Sequence, residues 1–257
     1  MPDSDTAVKR FAATVSYDGT DFVGSQVQPN GRTVQKELET AVQALFGVPT
    51  RVELAGRTDS GVHAIGQVAA FTAETRHAAE TVGRALNAHL PEDVAVRAVR
   101  EVVPGFDPRR WARRRWYRYT VANGDAREPL RRRQSWRVEG NFNLPAMRQA
   151  ANALTGRQDF IACSGHLEEG RTSVRTVFTA GWTCEGTDLL FDIEADAFLP
   201  QMVRRLAGAL VRIGRGGQEV EEFVRLLRQA GPGVIGPTAP AHGLCLQRVW
   251  YEEGYQE

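Results

Sequence analysis

Hydrophobic and polar residues alternate along the first hundred residues in short blocks. Short blocks rich in β-branched and aromatic side chains predict strands, whereas longer blocks with apolar residues three or four apart predict helices. The helix between Thr33 and Gly47 has the clearest signals, because threonine can cap its start and glycine can end it. The other predicted elements are the strands Phe11–Tyr17, Arg51–Leu54, Gln67–Thr72 and Val94–Val99 and the helix Thr81–Leu90.

The second half of the chain repeats this mixture of elements. Thr176–Cys184 and Leu189–Ala195 predict a hairpin that turns at Glu185 and Gly186. Gly214–Gly217 follows an apolar helical block and is interpreted as a helix end rather than as a phosphate-binding loop. The remaining predicted elements are the strands Trp116–Ala122 and Leu244–Tyr251 and the helices Asn143–Leu154, Met202–Ile213 and Val220–Gln229.

Helices and strands are mixed in both halves, and hairpins join some of the strands. This favours the α+β class with mainly antiparallel sheets over a doubly wound parallel sheet. Pro104, Gly105 and Pro108 interrupt the pattern between the halves. The sequence therefore predicts two domains, residues 1–105 and residues 106–257.

Composition narrows the class of protein without naming a function. Hydrophobic residues make up 42% and charged residues 25% of the 257 residues, so the chain can bury a core. No apolar run approaches the roughly 18–20 residues that span a bilayer, and the N-terminus lacks a secretory signal. These features predict a soluble cytoplasmic protein without a membrane partner. Three widely spaced cysteines and five histidines show no ligand spacing, so neither a metal site nor a disulfide framework is expected.

The positive charge is concentrated in one segment. Residues 106–137 contain eleven arginines and three carboxylates, a net charge of +8 against +1 for the whole chain. Such a segment in a near-neutral protein indicates a polyanionic partner met on one face. Arginine suits this role because its planar fork can contact phosphate through two hydrogen bonds.

The segment Gly56–Gly61 has residue types that suit a catalytic loop. Its two glycines bracket Arg57, Thr58, Asp59 and Ser60 between two predicted strands. If the chain is extended there, Arg57 and Asp59 project to the same side, and the cation favours the ionised carboxylate. From these residues alone, a surface turn with a local ion pair and a catalytic carboxylate both remain open.

The loop reads GRTDSGVHA from Gly56 onward and is followed by Gln67 and Val68. Further short motifs lie in order between roughly residues 10 and 252. They are Tyr17–Thr20 with Phe22, Gly24 and Gln26; Thr33–Gln35 with Leu38 and Glu39; Ala85–Asn87 with Leu90, Pro91 and Asp93; Tyr117 and Tyr119; Val174–Thr176; Phe198–Leu199 with Met202–Arg204 and Gly208; and Gly236–Pro240 with Gly243 and Leu244. This ordered set resembles the pattern of the tRNA pseudouridine synthase A (TruA) family, with GRTDSGVHA as the signature loop.

The resemblance implies a fold, a reaction and a substrate. The fold is two α/β subdomains around a central cleft, in the manner of pseudouridine synthases. The reaction isomerises uridine to pseudouridine in the anticodon stem-loop of tRNA (tRNA positions 38–40), on a base flipped out of the stack. Because the product is an isomer of the substrate, no cofactor or metal is implied. The family works as a homodimer in which one tRNA can cross both subunits.

The resemblance also implies roles for single residues. Asp59 is the essential carboxylate, which attacks C1′, adds to C6 or removes the 2′ proton. Arg204 is its charge partner, and a cation in the first turn of a helix is better explained when an anion faces it. Tyr117 stacks on the flipped uracil and assists loss of the C5 proton, while Tyr119 on the same strand face is interpreted as a core residue. Arg57 holds the nucleotide backbone or the cavity that the base leaves. The predicted phosphate contacts of the basic segment are Arg109, Arg113 and Arg115.

The chain departs from the family pattern at five positions away from the predicted catalytic residues. They are Ser25, where tryptophan is usual, Asp107 and Pro108 in the basic segment, and Gln158 and Gln201, where histidine is usual. Two other functions were weighed. A catalytically idle RNA-binding protein on the same fold is disfavoured by the complete set of Arg57, Asp59, Tyr117 and Arg204. An aspartate-dependent hydrolase or nuclease is disfavoured by the absence of a second clustered carboxylate or a metal motif.

Overall fold

The structure is a computed structural model that describes residues 6–164, 170–228 and 231–252. These residues form ten strands and five α-helices. In chain order they are β1 (Ala7–Tyr17), α1 (Val34–Phe46), β2 (Glu53–Leu54), β3 (His63–Thr75), α2 (Ala79–Asn87), β4 (Val94–Val102), β5 (Arg114–Ala122), β6 (Trp136–Arg137), α3 (Leu144–Asn152), β7 (Gly156–Asp159), β8 (Val174–Glu185), β9 (Asp188–Ala195), α4 (Met202–Gly214), α5 (Val220–Arg228) and β10 (Leu244–Trp250). Single turns of 3-10 helix lie at Pro129–Arg131, Ile161–Cys163 and Ala241–Gly243.

The chain forms two compact units. The first unit runs up to Arg113 and takes in the chain again from Leu246, and the second unit is Arg114–Cys245. In the first unit β1 is central, with β4 and β3 antiparallel on either side of it. The short β2 pairs with β3, and β10 is the next strand beyond β3.

The core of the first unit lies between one face of this sheet and the two helices. Phe11 and Phe71 are register partners on β1 and β3, and their rings lie 5.5 Å apart. Phe46, the last residue of α1, reaches the Phe71 ring at 6.3 Å. The Thr33 side chain accepts a hydrogen bond from Lys36 N at the start of α1, and Gly47 ends this helix in the left-handed conformation. The two capping residues predicted for this helix are confirmed.

The second unit has its own antiparallel sheet in the strand order β5-β9-β8-β7, with β6 parallel to the end of β5. Its core includes Tyr119 and Phe191, register partners on β5 and β9, and both are fully buried. Helix α4 is buried along most of its length, and α3 contacts both α4 and β8. Asn143 caps α3 through a hydrogen bond from Ala146 N to Asn143 Oδ1.

The predicted α+β class with mainly antiparallel pairing is confirmed. Each predicted strand and helix is present, with ends that differ by a few residues, and α4 ends at Gly214 as predicted; Gln229 lies outside the described residues. The short strands β6 and β7 were not predicted, because segments of two and four residues are too short to show a recognisable alternation of apolar and polar positions. No helix within the described ranges has both the length and the apolar character to cross a membrane.

The division between units differs from the predicted one between residues 105 and 106. The first unit continues to Arg113 because Phe106 packs on Trp111 and Tyr251, at ring distances of 5.4 and 5.2 Å. The Tyr251 hydroxyl donates to Pro108 O at 2.8 Å, and Arg113 N donates to Trp250 O at the same distance. The prolines and glycine that marked the predicted boundary therefore lie inside the first unit.

Candidate active site

The Asp59 loop, defined here as residues 55–62, connects β2 to β3 and is held tightly at Thr58. Ser25 bonds both backbone polar groups of Thr58: its hydroxyl oxygen accepts from Thr58 N at 2.8 Å, and its backbone N donates to Thr58 O at 3.1 Å. Gly24 and Asp59 form an isolated β-bridge beside this pair. The residue that precedes the predicted catalytic aspartate is therefore fixed by the backbone of another segment.

Two polar side chains of the sheet support the same loop from the core. The hydroxyls of Tyr17 and Thr58 are hydrogen-bonded at 2.9 Å, and Tyr17 is buried. Gln67 is fully buried, and its side-chain amide donates to Gly56 O at 2.9 Å. Buried polar groups that are hydrogen-bonded in this way stabilise one conformation of a loop, because any other leaves them without a partner.

The turn at Asp59 itself closes through backbone and side-chain bonds. Val62 N donates to Asp59 O at 3.2 Å, and the Ser60 hydroxyl donates to Phe22 O at 3.0 Å. Gly61 takes the left-handed conformation, with φ of 77°, so one of the two bracketing glycines uses the freedom predicted for both. Asp59 is half-buried at this turn.

Arg57 does not pair with Asp59. Its side chain is exposed, and it makes no ion pair or side-chain hydrogen bond with any other residue in the described part of the chain. The proposed local ion pair between Arg57 and Asp59 is therefore wrong. The loop takes its shape from the hydrogen bonds that Ser25 and Tyr17 make with Thr58, the residue between Arg57 and Asp59. The Arg57 guanidinium remains accessible to a ligand.

The end of the loop is joined to the end of β1. Gly19 N donates to His63 Nδ1 at 3.0 Å, and a carboxylate oxygen of Asp18 lies 3.2 Å from the same nitrogen. His63 is the first residue of β3 and is buried. This contact fixes the chain immediately after the loop, so both ends of the Asp59 loop are anchored to the sheet.

Tyr117 and Arg204 both belong to the second unit. Tyr117 lies on β5, is buried, and packs edge-on against the Phe198 ring at 5.1 Å. Arg204 lies in the first turn of α4, as predicted, and is half-buried. Its Nε donates to Ala239 O at 2.9 Å, and its backbone oxygen accepts from Ala239 N at 3.1 Å. Both side chains are therefore held in defined positions.

Much of the positive charge predicted for residues 106–137 is neutralised locally. Arg118 contacts Asp192 through two hydrogen bonds of 2.9 and 3.0 Å, and this contact raises the pKa of the guanidinium. Arg114, Arg131 and Arg137 pair with Glu194, Asp188 and Glu139 respectively. The segment therefore presents less free charge than its sequence indicates.

The three predicted phosphate contacts differ in accessibility. Arg115 is buried and donates to Asp196 O at 2.6 Å, so its side chain is unsuited to a surface contact with RNA. Arg109 is exposed, and the Arg113 side chain, 60% exposed, pairs with Glu252 at 2.7 Å. Burial therefore removes Arg115 from the phosphate contacts considered below.

The departures from the family pattern have local structural roles. Asp107 accepts from the backbone N of Arg109 and of Arg110 at 2.9 Å, which closes the turn after Phe106. Gln158 donates to two carbonyls at the end of α3, Ala153 O and Leu154 O. Gln201 precedes α4 with φ of 60°, and its side-chain oxygen accepts from Arg205 at 3.3 Å. These residues therefore stabilise turns and helix ends.

Sequence reasoning did not predict the residues that hold the Asp59 loop. Tyr17 and Gln67 were noted only as parts of the family pattern, and Ser25 only as a departure from it. The available signal was that Tyr17 and Gln67 are polar residues on the buried face of predicted strands, where an unbonded polar group is costly. Among the described residues no cluster of three or more histidine, cysteine, aspartate or glutamate side chains could hold a metal ion.

Comparison with known proteins gives a consistent result. A family model described as tRNA pseudouridine synthase matches residues 13–107 and 150–252. A tRNA pseudouridine synthase A of Geobacter sulfurreducens is 44% identical over 237 residues, which cover 91% of this chain and 96% of the relative. A protein of the same name from Myxococcus xanthus is 43% identical over 248 residues, covering 95% of this chain and 93% of the relative.

Likeness to solved structures is weaker. A Cbf5–Nop10–Gar1 complex matches with a TM-score of 0.35 and 13% identity, over 94% of this chain and 60% of that chain.

Proposed function

The chain belongs to the tRNA pseudouridine synthase family, and from this premise we propose that it modifies uridines of the tRNA anticodon stem-loop (tRNA positions 38–40) with Asp59 as the catalytic carboxylate. It is an isomerase that forms pseudouridine in tRNA. The proposal concerns the residue that carries the reaction and the part of the tRNA that is modified.

The observation that carries the role of Asp59 is the support of its loop. Thr58, the residue before it, is bonded at its backbone by Ser25 and at its side chain by Tyr17. Asp59 is half-buried and follows this fixed point directly. A carboxylate held in this way needs little reorganisation to meet a reacting atom, which is how positioning lowers an activation barrier.

The chemistry needs such a group and no second substrate. The C1′–N1 bond of uridine breaks, the base turns over, C5 bonds to C1′, and the proton lost from C5 is replaced by one on nitrogen. Atoms and electrons balance within the nucleotide, so no redox cofactor is consumed. Asp59 attacks C1′, adds to C6 or removes the 2′ proton, and each of these roles needs an ionised, partly desolvated carboxylate.

Tyr117 and Arg204 serve the same uridine in this proposal. The Tyr117 ring stacks on the flipped uracil and assists loss of the C5 proton, and Arg204 supplies positive charge for the Asp59 carboxylate. Their matches to the family pattern support these roles, as does the fixing of Arg204 by two hydrogen bonds with Ala239. Extracting a base from its stack costs a few kcal/mol, which stacking on an aromatic ring can offset.

RNA is held through exposed arginines. Arg57 lies on the Asp59 loop and has no partner among the described residues, so it can contact the nucleotide backbone or the space the base leaves. Arg109 and Arg113 extend the contact to phosphates along the strand. Each phosphate contact releases a counterion, so affinity for tRNA falls as salt rises.

The protein acts as a homodimer in the cytoplasm in the same proposal. The family resemblance supports the homodimer, and the bacterial relatives support the cytoplasmic location. Sedimentation equilibrium at the enzyme concentration used in assays gives the mass directly. A mass of one chain, 28.4 kDa, at a concentration that supports full activity contradicts the homodimer.

Release of tritium from tRNA labelled at uridine C5 tests the role of Asp59. The unsubstituted protein releases tritium, and Asp59→Ala releases none while binding tRNA with nearly unchanged affinity. Asp125→Ala, which removes an exposed carboxylate from the second unit, is the matched control and keeps full release. Undiminished release by Asp59→Ala contradicts the proposal, and no release by the unsubstituted protein supports the idle RNA-binding alternative.

Mapping of pseudouridine in tRNA tests the proposed positions. Transfer RNA from a strain lacking the protein is expected to retain uridine at positions 38–40 and to regain pseudouridine when the gene is restored. Restoration with the Asp59→Ala gene leaves uridine in place. Loss of pseudouridine elsewhere in tRNA, with the anticodon stem-loop unchanged, contradicts the proposed target but not the enzyme class.

A further inference from the structure

The segment Gly236–Pro240 lies directly against α4. A Cβ atom built on Gly208 of α4 lies 2.2 Å from Pro237 O, so the backbones meet where no side chain fits. One turn earlier, Ala239 N donates to Arg204 O at 3.1 Å. The segment therefore follows the first turns of α4 at backbone contact distance.

The same segment holds the Arg204 side chain. Arg204 Nε donates to Ala239 O at 2.9 Å, so one residue bonds both the backbone and the guanidinium of Arg204. A guanidinium is planar, and fixing its Nε restricts the directions in which its two terminal nitrogens can point. The position of Ala239 O thus sets the orientation of the Arg204 guanidinium group.

Tyr119 anchors the next residue of the segment. Its ring is fully buried, and its hydroxyl donates to Pro240 O at 2.8 Å. The Tyr119 ring also packs closely against Gly243, because a Cβ atom built on this glycine lies only 2.5 Å from the ring. Pro240 is adjacent to Ala239, so the tyrosine hydroxyl lies one peptide unit from the carbonyl that holds Arg204.

The ionisation of Tyr119 suits an anchoring donor. Burial raises the pKa of its hydroxyl well above the ordinary value, and the Arg204 charge lowers the pKa by a smaller amount. The phenol therefore stays protonated at and around neutral pH, and its hydroxyl keeps the hydrogen that it donates to Pro240 O. The influence of Arg204 also places its charge within electrostatic reach of this hydroxyl.

We propose that Tyr119 is a positioning residue that fixes the Arg204 guanidinium through the carbonyl groups of Pro240 and Ala239. The inference rests on the role of Arg204 proposed above. It goes beyond that role because it assigns a function to a buried tyrosine that the sequence indicates only as a core residue.

Tyr119→Phe tests the inference, because it keeps the ring and removes only the hydroxyl. Steady-state tritium release is expected to show kcat lower by about tenfold with KM for tRNA unchanged, since a small displacement of a catalytic group has effects of this size. Tyr251→Phe is the matched control. Its hydroxyl also donates to a proline carbonyl at 2.8 Å, but that carbonyl is Pro108 O, and Pro108 is remote in sequence from Ala239, the residue that holds Arg204. The control is expected to keep kcat.

A double-mutant cycle separates positioning from a general loss of stability. In an Arg204→Lys background Tyr119→Phe is expected to cause no further loss of kcat, because lysine has no Nε–H for Ala239 O to orient. A full tenfold further loss in that background overturns the inference, as does unchanged kcat in Tyr119→Phe alone. If Arg204→Gln, which removes the positive charge, by itself keeps full kcat, the proposed role of Arg204 fails first, which distinguishes the two failures.

Discussion

Ser25 is hydrogen-bonded to both backbone polar groups of Thr58. One bond is made by its hydroxyl and the other by its backbone N, at 2.8 and 3.1 Å, and Ser25 is 1% exposed. The resemblance described in the sequence analysis implies tryptophan as the usual family residue at this position. In this chain a small buried hydroxyl provides the acceptor for Thr58 N, so one of the hydrogen bonds that support the Asp59 loop depends on a single side-chain oxygen atom.

Removal of that oxygen is expected to weaken the Asp59 loop. Ser25→Ala leaves Thr58 N buried without an acceptor, which costs about 1–3 kcal/mol of stability. The greater effect is expected on kcat, because Asp59 follows Thr58 directly. Thermal unfolding and tritium release measure the two effects. The control is Ser135→Ala, which removes a buried hydroxyl from the second unit, where it donates to Arg131 O. Equal losses of kcat in both variants contradict a specific role for Ser25.

Gly208→Ala is expected to disturb the start of α4. The added methyl group lies 2.2 Å from Pro237 O, a backbone atom that cannot move without shifting the segment that holds Arg204. The expected result is a lower melting temperature and a kcat reduced on the order of tenfold or more. Gly181→Ala on β8 is the control, because nothing lies within 4 Å of the added methyl group there. A Gly208→Ala enzyme with unchanged kcat contradicts the close contact.

Arg57→Gln is expected to reduce the salt dependence of tRNA binding. The exposed guanidinium of Arg57 has no partner among the described residues, so a phosphate contact releases one counterion. The slope of log affinity against log salt is expected to fall by about 0.7–0.9. Arg84→Gln removes an exposed arginine of α2 that pairs with Glu80, and it is expected to leave the slope unchanged. Filter binding between low and moderate salt gives both slopes, and an unchanged slope in Arg57→Gln removes it from the RNA contacts.

The sequence was sufficient for features that depend on local pattern. The capped helix α1, the hairpin of β8 and β9 and the place of Asp59 between two strands all follow from neighbouring residues. The neutralisation of the basic segment could not be predicted, because Arg118 pairs with Asp192 and Arg114 with Glu194, residues 74 and 80 positions away. Charge counted along a segment is not charge on a surface when strand pairing brings distant carboxylates beside it.

The support of the Asp59 loop was missed for the same reason. Ser25 and Thr58 are 33 positions apart and Tyr17 and Thr58 are 41 apart, so these contacts depend on how distant segments fold together rather than on local pattern. The unit boundary was displaced because Tyr251, near the other end of the described chain, bonds Pro108. In each case residues that are far apart in the sequence come into contact. The periodicity of the sequence does not show which distant residues will meet.

Cys163 is expected to make the free energy of unfolding fall as pH rises in the alkaline range. The thiol is fully buried, and burial raises its pKa far above the ordinary value of about 8.5. The folded state therefore keeps the proton at a pH where the unfolded chain loses it. Below about pH 8.5 this contribution is fully present, and above it the free energy of unfolding falls by up to about 1.4 kcal/mol per pH unit, because the unfolded state binds fewer protons.

Urea unfolding at several values between pH 7.5 and 9.5 measures this contribution, in a window below the ordinary pKa of tyrosine, about 10. Cys163→Ala is expected to lose some stability at pH 7.5 from the smaller side chain and to show a shallower decline as pH rises. Cys184→Ala is the control, since Cys184 is exposed and its removal is expected to leave the decline unchanged. If the stability of Cys163→Ala declines as steeply with pH as that of the unsubstituted protein, ionisation of this buried thiol does not cause the alkaline loss of stability, and the burial of Cys163 in its 3-10 turn is contradicted.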